Sequence, residues 1–127
     1  MSWQDWVLLA AGPLGGGVAV FHGILTQKLM VRPLGKLLAI QPGTPVSIRR
    51  LVPLLLHFST FCWLLGGAYL VILAFGVDFG ARTAVCVLIG IIYAYGVVGN
   101  YWATRGRHPG WMLLGFAVLL IGVGAIR

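Results

Sequence analysis

The chain has 127 residues, of which 60% are hydrophobic and 9% are charged, and its formal net charge is +7. A water-soluble domain needs a far larger share of polar residues to cover its surface, so this composition excludes one. The cations lie mostly between long apolar runs, where membrane topology places them, so nucleic acid is not an expected partner.

The apolar runs are each about 20 residues long, which is the length at which an α-helix crosses the hydrocarbon core of a bilayer. They predict an all-α fold, a transmembrane four-helix bundle that forms a single integral membrane domain over residues 1–127. The spans are expected at about residues 6–31, 51–75, 81–104 and 111–126.

The connections between these spans are short. In the first connection, Leu37 and Leu38 beside Lys36 predict a short interfacial helix. Pro53 is expected in the first turn of the second span, where proline is tolerated. The turn at residues 76–80 is short enough to make the second and third spans antiparallel neighbours.

The distribution of cations predicts the orientation of the bundle. One side carries seven of them: Lys28, Arg32, Lys36, Arg49, Arg50, Arg105 and Arg107. The other side carries only Arg82 and Arg127, opposite Asp5 and Asp78. Because basic connections stay in the cytoplasm, the sequence predicts a multi-pass membrane protein with both termini outside. The expected location is a bacterial inner membrane, which the family resemblance given below implies.

Small residues recur at helical spacing and predict close contacts between helices. Gly12 and Gly16 form a GxxxG pattern in the first span, and Gly66 with Gly67 makes the second span thin. These surfaces could serve the bundle itself or a second subunit. A four-span chain this small has little interior, so a homo-oligomer or a place in a larger membrane complex is expected.

Polar side chains within the spans predict a candidate site, because such residues are costly in hydrocarbon and usually face the bundle interior. His22 and His57 are each expected roughly 10–14 Å from the cytoplasmic ends of adjacent antiparallel helices. Helical periodicity groups further polar residues with them. The predicted polar seam consists of His22, Thr26, His57, Thr60, Tyr93 and Asn100.

Several functions are open for this seam. Two neutral imidazoles could ligate haem iron axially, bind another metal, hydrogen-bond a quinone or line a path for a small solute. Two histidines alone are a poor ligand set for zinc. Alternatively, each histidine hydrogen-bonds a neighbouring helix and only holds the bundle together.

The leading hypothesis is therefore a small membrane binding or accessory subunit that holds haem or quinone between His22 and His57. The alternative is a small oligomeric channel or transporter for a small solute. The chain contains no glutamate, which argues against the small multidrug exporters that depend on one in their first span. An enzyme ranks last, because the sequence shows no nucleophile–base pair and no carboxylate pair.

Two segments between residues 20 and 65 carry a composite pattern. The first is His22-Gly23-Ile24-Leu25-Thr26-Gln27-Lys28 followed by Arg32-Pro33-Leu34. The second is Arg49-Arg50 followed by His57-Phe58-Ser59-Thr60-Phe61-Cys62-Trp63. The pattern resembles a family of uncharacterised small bacterial four-span inner-membrane proteins with paired histidine motifs. The resemblance implies that His22 and His57 are family-typical positions and brings no established activity. The chain departs from it at Thr26 and Gln27, where the family has glycine and glutamate.

Overall fold

A computed structural model describes residues 1–76 and 81–126, and these residues contain helices and no β-strand. The helices are α1 (Trp3–Thr26), α2 (Arg32–Ile40), α3 (Val46–Ala74), α4 (Arg82–Thr104) and α5 (Gly110–Ala125). A π-helical turn, Gln27–Val31, joins α1 to α2, and its flanking residues keep right-handed helical backbone angles. The described residues therefore form four continuous helices. Most of the predicted turn at 76–80 lies outside them.

The predicted fold class, an all-α transmembrane four-helix bundle, is confirmed. Three of the continuous helices are long and apolar enough to cross a membrane: Trp3–Ile40, α3 and α4. The fourth, α5, has 16 residues and extends about 24 Å, somewhat less than a hydrocarbon core of about 30 Å.

The first two helices extend beyond the sequence-predicted spans. The first continues through the π-helical turn to Ile40 instead of ending at residue 31, and the predicted interfacial helix is its last part. Pro33 directly follows the π-helical turn, so its missing N–H falls where the regular hydrogen bonding of the continuous helix is already interrupted. Helix α3 begins at Val46, after Pro45 in an extended conformation. Pro53 therefore lies inside α3 and not in its first turn.

The helices follow one another around the bundle, and α5 closes it by packing against α1. The most extensive contact joins α1 to α3. At its centre the two backbones touch, because a Cβ added to Gly67 would lie 2.6 Å from the carbonyl oxygen of Gly12. The prediction that these glycines make close helix contacts is confirmed. The contact joins two helices of the same chain.

An ion pair ties the helices together at the end of the bundle that holds the N-terminus. Arg82 at the start of α4 approaches Asp5 of α1 with Nη1 to Oδ1 at 2.8 Å. The same guanidinium donates to the Gly124 carbonyl of α5 and to the Leu73 carbonyl of α3. Asp5 also completes a capping box with Ser2. One arginine therefore links all four helices and meets the carbonyl-rich ends of two of them, where a cation is favoured.

Replacing Gly67 with alanine should destabilise the bundle, because the new methyl group meets backbone atoms that cannot rotate away. The expected loss of unfolding free energy is about 1–3 kcal/mol, as for other overpacked cores. Thermal or SDS-induced unfolding of the purified protein in detergent measures it. Gly99→Ala is the matched control, because nothing lies within 4 Å of a Cβ at Gly99. Equal stability of the two variants would contradict the close contact.

Replacing Arg82 with glutamine should cost about 3 kcal/mol, because it removes the cation that contacts the buried Asp5 carboxylate. Adding Asp5→Asn to this variant should restore part of the loss, since no buried charge then remains. The same unfolding assay measures both variants. The exposed Arg105 supplies the control, and Arg105→Gln should change stability by less than about 0.5 kcal/mol. If Arg82→Gln behaves like that control, the ion pair contributes nothing.

Candidate functional site

His22 is the centre of a small polar cluster between α1 and α3. Its Nε2 lies 3.1 Å from the Ser59 hydroxyl of α3 and 3.3 Å from the Thr26 hydroxyl one turn along α1. The ring also packs against the Trp63 indole, with centroids 4.6 Å apart. These contacts fix the position of the imidazole through two helices, so His22 is held in one orientation.

His57 lies on α3 and contacts the π-helical turn that follows α1. Its Nε2 donates a hydrogen bond of 2.9 Å to Oε1 of the Gln27 side-chain amide, which links α3 to the π-helical turn. Gln27 is the position where the family pattern has glutamate. The amide preserves an acceptor for this histidine without adding a charge.

Tyr93 and Thr60 occupy packed positions. Tyr93 is completely buried at the bundle centre and donates a hydrogen bond of 2.7 Å to the Trp63 carbonyl. Its ring fills the space left by Gly15 and Gly66. Thr60 faces Gly23, and its buried hydroxyl has no hydrogen-bond partner among the described residues. Both residues therefore contribute to packing between helices.

A cleft of about 240 Å³ opens between α1 and the beginning of α5. His22 and Trp63 line it together with Asn100, whose amide nitrogen donates to the Gly96 carbonyl of its own helix. The other lining residues are mostly apolar: Pro13, Leu14, Gly17, Val18, Phe21, His108, Pro109, Gly110 and Leu113. Of the six predicted seam residues, the cleft brings together His22 and Asn100, and it does not include His57.

His108, which the sequence had not assigned to the site, lies at the cleft beside Phe21, with the two rings stacked at 5.9 Å. Its Nδ1 accepts a hydrogen bond of 3.0 Å from the Gly110 amide. An imidazole whose Nδ1 accepts must carry its proton on Nε2, so His108 presents an N–H donor. The position of His108 in the sequence could have indicated this, because the turn between α4 and α5 must bring the chain back against the bundle.

The second ring nitrogen of His22 is also available. Its Nε2 is occupied by the hydroxyls of Ser59 and Thr26, whereas Nδ1 has no protein partner within residues 1–76 and 81–126. When a hydroxyl donates to Nε2, the neutral imidazole carries its proton on Nδ1. The cleft thus holds two imidazole rings within a mostly apolar lining.

The described residues contain no group of three or more His, Cys, Asp or Glu side chains that could hold a metal ion. The histidines that approach the bundle interior are instead satisfied by hydroxyl, amide and backbone groups.

Comparison with known proteins adds no assignment. No family model matches the chain, and neither a curated protein nor a solved structure matches it. The resemblance to the small four-span membrane proteins therefore stays a prediction.

Tyr93→Phe should lower the free energy of unfolding by about 1 kcal/mol, because it removes one buried hydrogen bond while retaining the ring that packs on Gly15. Unfolding in detergent measures the loss. Ligand binding at the cleft should be unchanged, because Tyr93 does not line it. A variant of full stability that no longer binds ligand would instead assign Tyr93 to the site.

Proposed function

We propose that the protein is a small membrane binding subunit whose cleft takes the ring-sized polar head of a lipid-soluble ligand, of which a quinone is the best fit. The observation that carries the proposal is that the imidazoles of His22 and His108 both line one apolar cleft, where each can donate an N–H hydrogen bond. Quinone carbonyl oxygens accept such hydrogen bonds, and a planar ring suits a lining that includes Trp63 and Phe21.

The size and opening of the cleft support this choice. Pockets for drug-sized ligands measure about 300–1,000 Å³, so a cleft of about 240 Å³ suits a single ring better than a haem macrocycle. Pro13, Gly17, Phe21 and Leu113 line the cleft and are exposed on the outside of the bundle. A hydrocarbon tail attached to the ring could leave between them into the lipid.

The alternative of a transport path has less support. The Thr60 hydroxyl is buried against Gly23. Besides Tyr93, the polar or charged residues that are buried as a whole among the described ones are Asp5 and Thr26, and both have partners. Between them the bundle centre is filled by apolar side chains and Tyr93. A solute path would therefore have to run between copies of the chain.

The proposed location is a bacterial inner membrane with both termini outside. The stacking of Phe21 on His108 supports this orientation, because it brings the α4–α5 turn to the end of the bundle where α1 continues into the basic segment. The two basic connections therefore share one side, as the positive-inside rule requires for a cytoplasmic face.

Gly17→Leu tests the proposal by filling the cleft. No atom lies within 4 Å of a Cβ at Gly17, so the leucine should occupy the cleft without disturbing the fold. Binding of a decyl-tailed ubiquinone analogue to the protein in nanodiscs, measured by calorimetric titration, should be lost. The matched control is Gly99→Leu, which is equally unhindered but lies away from the cleft and should bind normally.

His22→Ala should weaken the same binding by about tenfold, as expected for one lost hydrogen bond. His57→Ala is its control and should bind normally, because His57 does not line the cleft. Equal binding by the wild-type protein and Gly17→Leu would refute the site. A Soret band in the purified protein that disappears in both histidine variants would replace quinone with haem.

A further inference from the structure

The first continuous helix and α3 extend beyond α4 and α5 as a helical hairpin, which consists of residues 27–56. The π-helical turn and α2 pack on α3 and make no extensive contact with α4 or α5 among the described residues. The α4–α5 turn meets α1 at Phe21. The helix continues from there to Ile40, which is about 28 Å further at 1.5 Å per residue.

The hairpin has no hydrophobic core of its own. None of its residues is buried, and Thr26 and Trp63 are the buried residues nearest to it on either side. Large apolar side chains are exposed along both helices: Leu29, Met30, Leu37, Ile40, Val46, Ile48, Leu51, Leu54 and Leu55. A two-helix segment with this surface needs an apolar environment to cover it.

The charges of the hairpin are all positive. The hairpin carries five cations and no acidic residue: Lys28, Arg32, Lys36, Arg49 and Arg50. Three of them follow at intervals of four residues, so they lie along one side of the helix. Cations alternating with exposed leucines and isoleucines on a short helical segment are typical of binding at the boundary between lipid headgroups and acyl chains.

The backbone of the hairpin is interrupted in both helices. The π-helical turn and Pro33 interrupt the regular hydrogen bonding of the first, and Pro53 removes a donor from the second. Gln27 contacts His57, so in an antiparallel pair both prolines lie beyond that contact, Pro33 by six residues and Pro53 by four. Helices bend at prolines and π-bulges, so both can incline together at this level.

From these features we propose that the hairpin is a docking surface for anionic phospholipid headgroups on the same membrane that holds the bundle. The cations contact the lipid phosphates, and the exposed leucines and isoleucines enter the acyl boundary beside them. Charge complementarity selects this occupant, because the hairpin offers five positive charges and no acceptor side chain with a negative charge. The proposal is independent of the ligand in the cleft.

The test compares lipid retention by the full-length protein. Protein in detergent is equilibrated with equal amounts of phosphatidylglycerol and phosphatidylcholine, and bound lipid is counted by native mass spectrometry. The wild-type protein should prefer phosphatidylglycerol by at least tenfold. Lys28→Gln combined with Arg32→Gln should reduce that preference about tenfold or more, since each basic residue near a surface contributes several-fold.

The control removes the same number of charges elsewhere on the same side. Arg105→Gln combined with Arg107→Gln changes two exposed cations of the α4–α5 turn and should reduce the preference by no more than a few-fold. An equal loss in both double variants would reduce the effect to net charge and overturn the proposal. The absence of a lipid preference in the wild-type protein would also overturn the proposal. So would a partner protein that binds the hairpin in place of lipid, because the surface would then belong to that partner.

Discussion

The close contact between Gly12 and Gly67 is the constraint on which the rest of the bundle depends. It lets the backbones of α1 and α3 touch, and thereby sets which residues face one another along the two helices. In this register, His22 reaches Ser59 and Gln27 reaches His57. A wider separation would break both hydrogen bonds, so the polar groups near the basic end follow from the absence of two side chains near the bundle centre.

The two ends of the bundle are built by different physical means. Near the termini, Arg82 gathers Asp5 and the carbonyl ends of α3 and α5, which closes the bundle tightly. At the opposite end, α5 begins beside His108 and leaves a cleft against α1. The tight end is closed by an ion pair and hydrogen bonds, whereas the open end has two histidine rings that line a cleft. The proposed binding role of the open end rests on this asymmetry.

The polar seam was only partly predictable from the sequence. Helical periodicity correctly grouped His22 with Thr26, and it placed Asn100 on the helix face that meets the cleft. It could not show that His57 would turn to Gln27, because periodicity describes one helix and not its rotation against another. It also could not show that Tyr93 would be used up in packing, since that depends on the space left by Gly15 and Gly66.

The sequence by itself determined the fold class, because apolar runs of membrane-spanning length leave a chain with 9% charged residues no other stable arrangement. It also separated the basic connections from the opposite end. Only the tertiary structure decided that α1 runs through a π-helical turn to Ile40, and that His22 and His108 share a cleft. The reason is physical: hydropathy depends on composition, whereas the cleft depends on how far each helix extends and on which side chains its neighbours leave uncovered.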